Sequence, residues 1–94
     1  MADYKVEGNK LCDRGGNMIA YLDNNFFRDK NGNMKGVIVD NYIKDSSYNI
    51  VGRFDGGDIM DSSGNKIGTI DDVRKLIDGP GGNSLIAFWL LFVR

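Results

Sequence analysis

The sequence predicts a mainly β protein in which four 16-residue β-hairpin repeats surround a pseudo-fourfold axis. One short helix near residues 72–78 and an apolar C-terminal strand over residues 84–93 are expected to follow. Two observations predict this fold. The chain contains 13 glycines and a single proline, which indicates many tight turns. Its polar residues also recur at a fixed spacing, which is the signature of a repeat architecture.

Three columns of residues recur every 16 positions: an Asp, an Asn four residues later, and a small residue three further on. The columns are Asp13, Asp29, Asp45 and Asp61; Asn17, Asn33, Asn49 and Asn65; and Ala20, Gly36, Gly52 and Gly68. Large apolar residues precede each Asp (Leu11, Phe27, Ile43, Ile59) and follow each small residue (Leu22, Ile38, Phe54, Ile70). We expect one domain over residues 1–94, given its length of 94 residues. Its parts are repeats at about 10–25, 26–41, 42–57 and 58–71, then a helix plus strand over 72–94.

Each repeat carries the pattern of a hairpin turn. An Asp at the first position of a type I turn, with a left-handed Gly three residues later, is typical of a three-residue hairpin loop with a bulge. Asp13-Arg14-Gly15-Gly16 fits this pattern, as do the loops that begin at Asp29 and Asp61. In the third repeat Tyr48 stands where glycine is expected. That turn is predicted to be strained or rearranged, because a bulky residue rarely adopts the left-handed region.

The column of small residues lies in mid-strand, where glycine weakens a strand and needs a compensating reason. We expect these positions to be where neighbouring hairpins or opposite side chains approach most closely. Two registers are open. A three-residue loop puts Leu11 on one face with Ile19 and Tyr21. A four-residue loop puts it on one face with Met18, Ala20 and Leu22. The second register is favoured because it sets large side chains opposite the small ones.

The ends of the chain depart from the repeat. Asp71 is a suitable N-cap for the short helix, and Val73, Leu76 and Ile77 fall on one helical face. At the other end, residues 4–9 match the second half of a repeat, and we expect the apolar C-terminal run to supply the missing partner strand.

The apolar run over residues 85–93 is much shorter than the roughly 20 residues that a transmembrane helix requires. A strand buried on both faces fits its length and aromatic content best. A subunit interface that makes the protein a homo-oligomer is the alternative, and contact with a membrane is the least favoured.

Composition excludes several classes of function. The net charge is −1 with both signs mixed along the chain, so the basic stripe that nucleic-acid binding needs is missing. Histidine is absent, which removes the commonest general base and argues against an enzyme. Cys12 is the single cysteine and cannot form an internal disulfide. Together with the absence of a signal peptide at the start of the chain, this favours a cytoplasmic location.

Two patterns suggest cation binding, and both have a simpler interpretation. Asp29-Lys30-Asn31-Gly32-Asn33 is similar to the start of a calcium loop, but its glycine comes fourth rather than sixth and Asp40 replaces the final Glu. A hairpin turn explains this loop and the other three. The acids that end each repeat are Asp23, Asp55 and Asp71, with Val39 in the fourth place. They are expected to cap turns or the helix rather than to form a carboxylate ring. We therefore predict no catalytic, cofactor-binding or metal-binding residue and no cofactor.

The recurrent Asp-x-x-Gly-Asn-x-x-Gly motif between Leu11 and Asp71, with the tail that follows it, resembles the four-fold β-flower proteins. In that family four similar hairpins surround a pseudo-fourfold axis, and the resemblance implies an architecture without an activity or site residues. Asp61 to Asp71 is also similar to PRC-barrel-like modules, whose strands read Asp-x-x-Gly-x-x-Ile-Gly-x-Ile-x-Asp. The unbroken 16-residue period departs from that second pattern.

The expected function is that of a small non-catalytic binding or assembly module, with the C-terminal strand as the interface of a homo-oligomer. The alternative is a small-ligand or cation binder at the axial end of the ring of repeats. Most of the conspicuous Asp, Asn and Gly residues are explained by folding, since they belong to the repeat. Only the departures from it remain to indicate function, namely Val39, Lys35, Tyr48 and the apolar tail.

Overall fold

The computed structural model describes residues 2–79 and 82–94. Within these residues the strands are β1 Tyr4–Glu7, β2 Lys10–Asp13, β3 Met18–Asp23, β4 Phe26–Asp29, β5 Met34–Val39, β6 Tyr42–Asp45, β7 Ile50–Asp55, β8 Asp58–Asp61, β9 Lys66–Thr69 and β10 Ile77–Asp78. The helices are α1 Ile70–Leu76 and α2 Asn83–Phe88, and α2 continues as a π-helical segment, Trp89–Val93. The strands form one sheet in the order β10-β1-β2-β3-β4-β5-β6-β7-β8-β9, which confirms a mainly β fold.

The turn at the tip of each repeat is a three-residue loop. In the first repeat the Gly16 N–H donates to the Asp13 carbonyl oxygen at 3.0 Å, and the Asp13 N–H donates to that of Asn17 at 2.9 Å. Asp13 Oδ1 also accepts the N–H groups of Gly15 and Asn17, each at 2.9 Å. The same carboxylate bonds recur at Asp29, Asp45 and Asp61. The third loop keeps this geometry with Tyr48 at φ +65°, where Gly16 has φ +85°.

A bulge behind each tip loop sets the register. Leu11 pairs with Ala20 and Cys12 pairs with Met18, so Ile19 is left without a partner. The same shift occurs in the other repeats, with the pairs Phe27–Gly36, Ile43–Gly52 and Ile59–Gly68. Large side chains thus lie opposite small ones, as in the favoured register. The four-residue loop expected to produce it is wrong, because a three-residue loop plus the bulge gives the same shift.

The two ends of the chain build a fifth two-stranded unit. β1 pairs with β10 in parallel, with Tyr4 opposite Ile77. Tyr4 precedes Ala20 by 16 residues and so stands, as a large residue, at the column position that small residues fill in the four repeats. Ile77 lies opposite Tyr4 as Leu11 lies opposite Ala20. The expectation of a fourfold arrangement is therefore wrong: four sequence repeats and one unit made from the chain ends give five. The half-repeat finds its partner strand in Ile77–Asp78 rather than in the apolar run.

Helix α1 connects β9 to β10. It begins two residues earlier than predicted, because Thr69 rather than Asp71 is its N-cap. The Thr69 hydroxyl accepts the Asp72 N–H at 3.2 Å, and the Asp72 carboxylate accepts the Thr69 N–H at 3.0 Å. This reciprocal pair satisfies backbone donors that the first turn leaves free. The helix ends at Leu76 because Ile77 enters the sheet. Pro80 and Gly81, which follow, lie outside the described residues.

The C-terminal strand predicted over residues 84–93 is wrong, since this segment is helical. Leu85, Ile86, Ala87 and Phe88 are buried against the inner face of the sheet. A strand packed on this inner face could pair only at the two sheet edges, β9 and β10, whereas a helix satisfies its backbone internally. The expected interface of a homo-oligomer cannot be a strand here, because the segment is helical and residues 85–88 are buried within the chain itself.

The sheet wraps around this C-terminal helix, by which we mean α2 and the π-helical segment together. Five residues at matching places in the five units are completely buried: Leu11, Phe27, Ile43, Ile59 and Ile77. The rings of Phe27 and Phe88 meet edge to face, with their centroids 5.0 Å apart. The small residues make room for the helix, because a Cβ added at Gly36 would meet Leu91 Cδ1 at 2.5 Å. Among the described residues, neither helix has the length and hydrophobicity needed to cross a bilayer.

Candidate functional site

The antiparallel order of the sheet gives the ring two different ends. Turns that join consecutive antiparallel strands alternate between the two ends of the strands. One end, which we call the tip end, carries the loops within the repeats, such as residues 14–16. The opposite end carries the two-residue turns between repeats, such as residues 24–25. The C-terminal helix approaches the tip end with its last turn, because Phe92 lines a pocket there together with the loop residues Lys30 and Asn31.

A pocket of about 670 Å³ opens at the tip end, between the loops of the first and second repeats. Its apolar lining comes from Met18, Ile19 and Phe92, all of which are half-buried. Its polar lining consists of Asp13, Asn17, Asp29, Lys30, Asn31 and Lys35. The volume lies within the range of about 300–1,000 Å³ that is usual for small-molecule sites.

The two pocket carboxylates are held by their own loops. Asp29 Oδ1 accepts the N–H groups of Asn31 and Asn33 at 2.9 and 3.0 Å, as Asp13 does in the first repeat. The hydrogen bond from the Asn33 backbone is the main cause that lowers the pKa of Asp29. The bond from the Asn17 backbone does the same for the pKa of Asp13. Both groups are thus ionised near neutral pH, with lone pairs already engaged by the protein.

The lysines are the cationic groups of the pocket that keep donors for a ligand, and the exposed Asn31 side chain adds an uncharged amide donor. Lys35 Nζ lies 3.9 Å from Asp29 Oδ2, a long contact, and its side chain is 51% exposed. In the described part of the chain Lys30 has no ion-pair partner. An exposed ion pair of this kind contributes less than about 1 kcal/mol, so a ligand anion displaces it at low cost.

A second cleft, of about 350 Å³, lies at the opposite end of the ring. Its lining includes Phe54, Ile70 and Ile86 together with the amides of Asn41 and Asn83. No charged side chain is among its described lining residues, so it offers less to fix the orientation of a ligand.

The predicted cation patterns have other roles in the structure. The loop that is similar to a calcium site is a hairpin turn, because the Asp29 carboxylate points at its own backbone N–H groups. Asp23 pairs with Arg28 at 3.3 Å, and Asp71 lies in the first turn of α1. In residues 2–79 and 82–94, no three acidic or cysteine side chains come together in a way that could hold a metal ion. Cys12 is buried and unpaired.

Comparison with known families agrees with the count of five units. A family model described as 5-fold beta-flower protein matches residues 2–84. The chain belongs to this β-flower family. The resemblance to β-flower proteins therefore holds, with five units in place of four, and the PRC-barrel-like alternative is not supported. No curated protein and no solved structure matches this β-flower protein.

Reasoning from sequence found part of the pocket. Lys35 was recognised as a departure from the repeat, and Asp13 and Asp29 as loop residues, but nothing indicated that they share a pocket. The contribution of Phe92 was missed because the apolar run was predicted to be a strand. One signal in the sequence points to the pocket. In the column of Ile19, Val51 and Ile67, the second repeat has the charged residue Lys35 in place of an apolar one.

Proposed function

We propose that this β-flower protein is a non-catalytic binding module whose tip-end pocket takes a small organic anion with an apolar body. The observation that carries the proposal is a lining that combines apolar Phe92 and Met18 with the two lysines, while the two carboxylates beside them already accept backbone N–H groups. A ligand that buries its apolar part against Phe92 and Met18 and points a carboxylate, sulfonate or phosphate at the lysines would satisfy both.

The chemistry of the pocket supports binding rather than catalysis. A general base works best when its pKa lies near the working pH. Asp13 and Asp29 have lowered pKa values and are already hydrogen-bonded by backbone N–H groups, so they make poor proton acceptors. Histidine is absent from the chain. A cytoplasmic location remains part of the proposal, supported by the free thiol of Cys12, which suits a reducing compartment.

Two dyes of nearly equal shape test the anion requirement. 8-Anilino-1-naphthalenesulfonate carries an aromatic body and one negative charge, whereas N-phenyl-1-naphthylamine has the same body without the charge. Fluorescence titration of the full chain is expected to show one saturable site for the sulfonate. The neutral dye is expected to bind at least about tenfold more weakly, a loss of about 1.4 kcal/mol.

Matched substitutions locate the site. Lys35→Ile introduces the residue found at the equivalent positions 19 and 67, and Lys30→Ser introduces the one found at 46 and 62, so both variants should fold. Each is expected to weaken binding of the sulfonate by several-fold, and Lys75→Ala on α1 is the control that leaves it unchanged. Equal affinity for both dyes, or unchanged sulfonate binding in the double variant, would refute the proposal.

A further inference from the structure

A second surface carries a departure from the repeat that the tip-end pocket does not use. Val39 stands at the position that Asp23 and Asp55 occupy in other repeats. Its side chain is 40% exposed. The fold does not require an exposed valine where the other repeats have an acid.

Val39 is part of a compact patch on the outer face of the sheet. It pairs with Tyr42 across β5 and β6, and Tyr42 pairs with Arg53 across β6 and β7. One row further along, Lys44 pairs with Ile50. We call these five residues the outer patch. Val39, Tyr42 and Ile50 are three of the five large apolar side chains that are exposed among the described residues.

The charges of the outer patch are all positive. The cross-strand neighbours of Lys44 and Arg53 are uncharged residues. In the part of the chain that the structure describes, neither cation forms an ion pair. By contrast, Arg28 in β4 forms an ion pair, with its Nε 3.3 Å from Asp23 Oδ2. The patch therefore combines exposed apolar side chains with two cations whose charge the protein itself leaves without a close counterion.

We propose that the outer patch docks an acidic, apolar segment of another protein. Carboxylates on the partner would neutralise Lys44 and Arg53, and its apolar side chains would cover Val39, Tyr42 and Ile50. The patch spans three adjacent strands, which lie about 4.8 Å apart, so it suits a short segment rather than a large folded surface. Complementary charge of this kind determines the choice of partner and speeds encounter.

Two other occupants fit the patch less well. In a twofold dimer the same patch meets itself, so the cations of one copy would face those of the other with no acid between them. An anionic membrane would approach Val39 and Tyr42 together with Asp40, which is exposed in the turn between them. Its carboxylate would be pushed against the negative headgroups. A protein segment avoids both conflicts, because its acids can be placed opposite the two cations alone.

Labelled model peptides test the proposal on the full chain. The probe is a short fluorescent peptide of alternating Glu and Leu, and its matched control alternates Lys and Leu. Fluorescence anisotropy at low salt is expected to show binding of the Glu–Leu peptide and at least about tenfold weaker binding of the Lys–Leu peptide. Amide chemical-shift changes in nuclear magnetic resonance spectra are expected to be confined to β5, β6 and β7.

Three variants locate the contact. Val39→Asp restores the acid of the other repeats, and Lys44→Met introduces the residue found at position 60, so both preserve the pattern of the fold. Each is expected to weaken Glu–Leu binding by about tenfold without lowering the melting temperature. Lys10→Glu changes a cation on the outer face of the first repeat and is expected to leave binding unchanged.

Several results would overturn the proposal. They are absence of Glu–Leu binding, equal binding of the two peptides, and binding that survives both patch substitutions. The patch would be assigned to a membrane if two results came together. The wild type, but not Lys44→Met, would bind vesicles of phosphatidylserine, and the Glu–Leu peptide would not bind. A doubled mass in analytical ultracentrifugation that Val39→Asp abolishes would assign it to a second copy.

Discussion

The same substitution at three equivalent glycines is predicted to have opposite effects. Gly36, Gly52 and Gly68 occupy one column of the repeat, and each lies opposite a large apolar residue of the preceding strand. A Cβ at Gly36 would lie 2.7 Å from the Lys44 carbonyl oxygen, and one at Gly52 would lie 2.8 Å from that of Met60. At Gly68 the nearest atoms are 3.6 Å away, an ordinary contact.

The magnitudes follow from these distances. Forcing an extra methyl group against backbone in a packed core costs about 1–3 kcal/mol, which we expect for Gly36→Ala and Gly52→Ala. Where space exists, replacing Gly by Ala stabilises the folded protein by about 0.4–1 kcal/mol, because it reduces the conformational entropy of the unfolded chain. We expect this effect for Gly68→Ala. A change of 1 kcal/mol moves the melting temperature of a domain this small by about 4–8 °C.

Thermal and urea unfolding followed by circular dichroism measure the series. Gly36→Ala and Gly52→Ala should lower the free energy of unfolding, and Gly68→Ala should leave it unchanged or raise it. Leu91 Cδ1 would be 2.5 Å from the new Cβ at position 36. In a double-mutant cycle, Leu91→Ala should therefore reduce the loss at position 36 without abolishing it, since the Lys44 oxygen remains. Equal losses at all three glycines would refute the close approach of backbone at Gly36 and Gly52 and the open space at Gly68.

Two further predictions concern the tip loops. Tyr48→Gly should raise the free energy of unfolding by about 1 kcal/mol, measured by urea denaturation, because glycine adopts a positive φ without strain. The second prediction concerns the dependence of stability on pH. Hydrogen bonds from the loop backbone lower the pKa values of Asp13, Asp29 and Asp61 from the ordinary value of 3.8. For Asp61 the bond from the Asn65 backbone is the largest cause. Since their folded pKa values are depressed, the stabilisation is present above the unfolded value and is lost as pH falls through the folded values. Melting temperatures should therefore drop below about pH 4, and Asp61→Asn should make that drop smaller; an identical profile would contradict the assignment.

The repeat by itself determined the local structure of this protein. The Asp-x-x-Gly-Asn pattern predicts a turn whose hydrogen bonds close within five residues, from Asp13 to Asn17. The spacing of the apolar columns identifies Leu11 and its equivalents as the buried face. Such features depend on interactions between near neighbours in the chain, and so the sequence expresses them directly. The bulge at Ile19 is already less local, because it depends on which residue of β3 meets Leu11.

Only the tertiary structure decided the number of units, the state of the C-terminal run and the site. The fifth unit requires Tyr4 to meet Ile77 across almost the whole chain, and no repeat links those positions. A run that is apolar at every position has no period that separates strand from helix. The surrounding sheet decides in favour of a helix, because the face of a sheet offers no free backbone groups for pairing and a helix satisfies its own. That choice brings Phe92 to the pocket between two loops, where its ring lies with the lysines in one lining that neither segment contains alone.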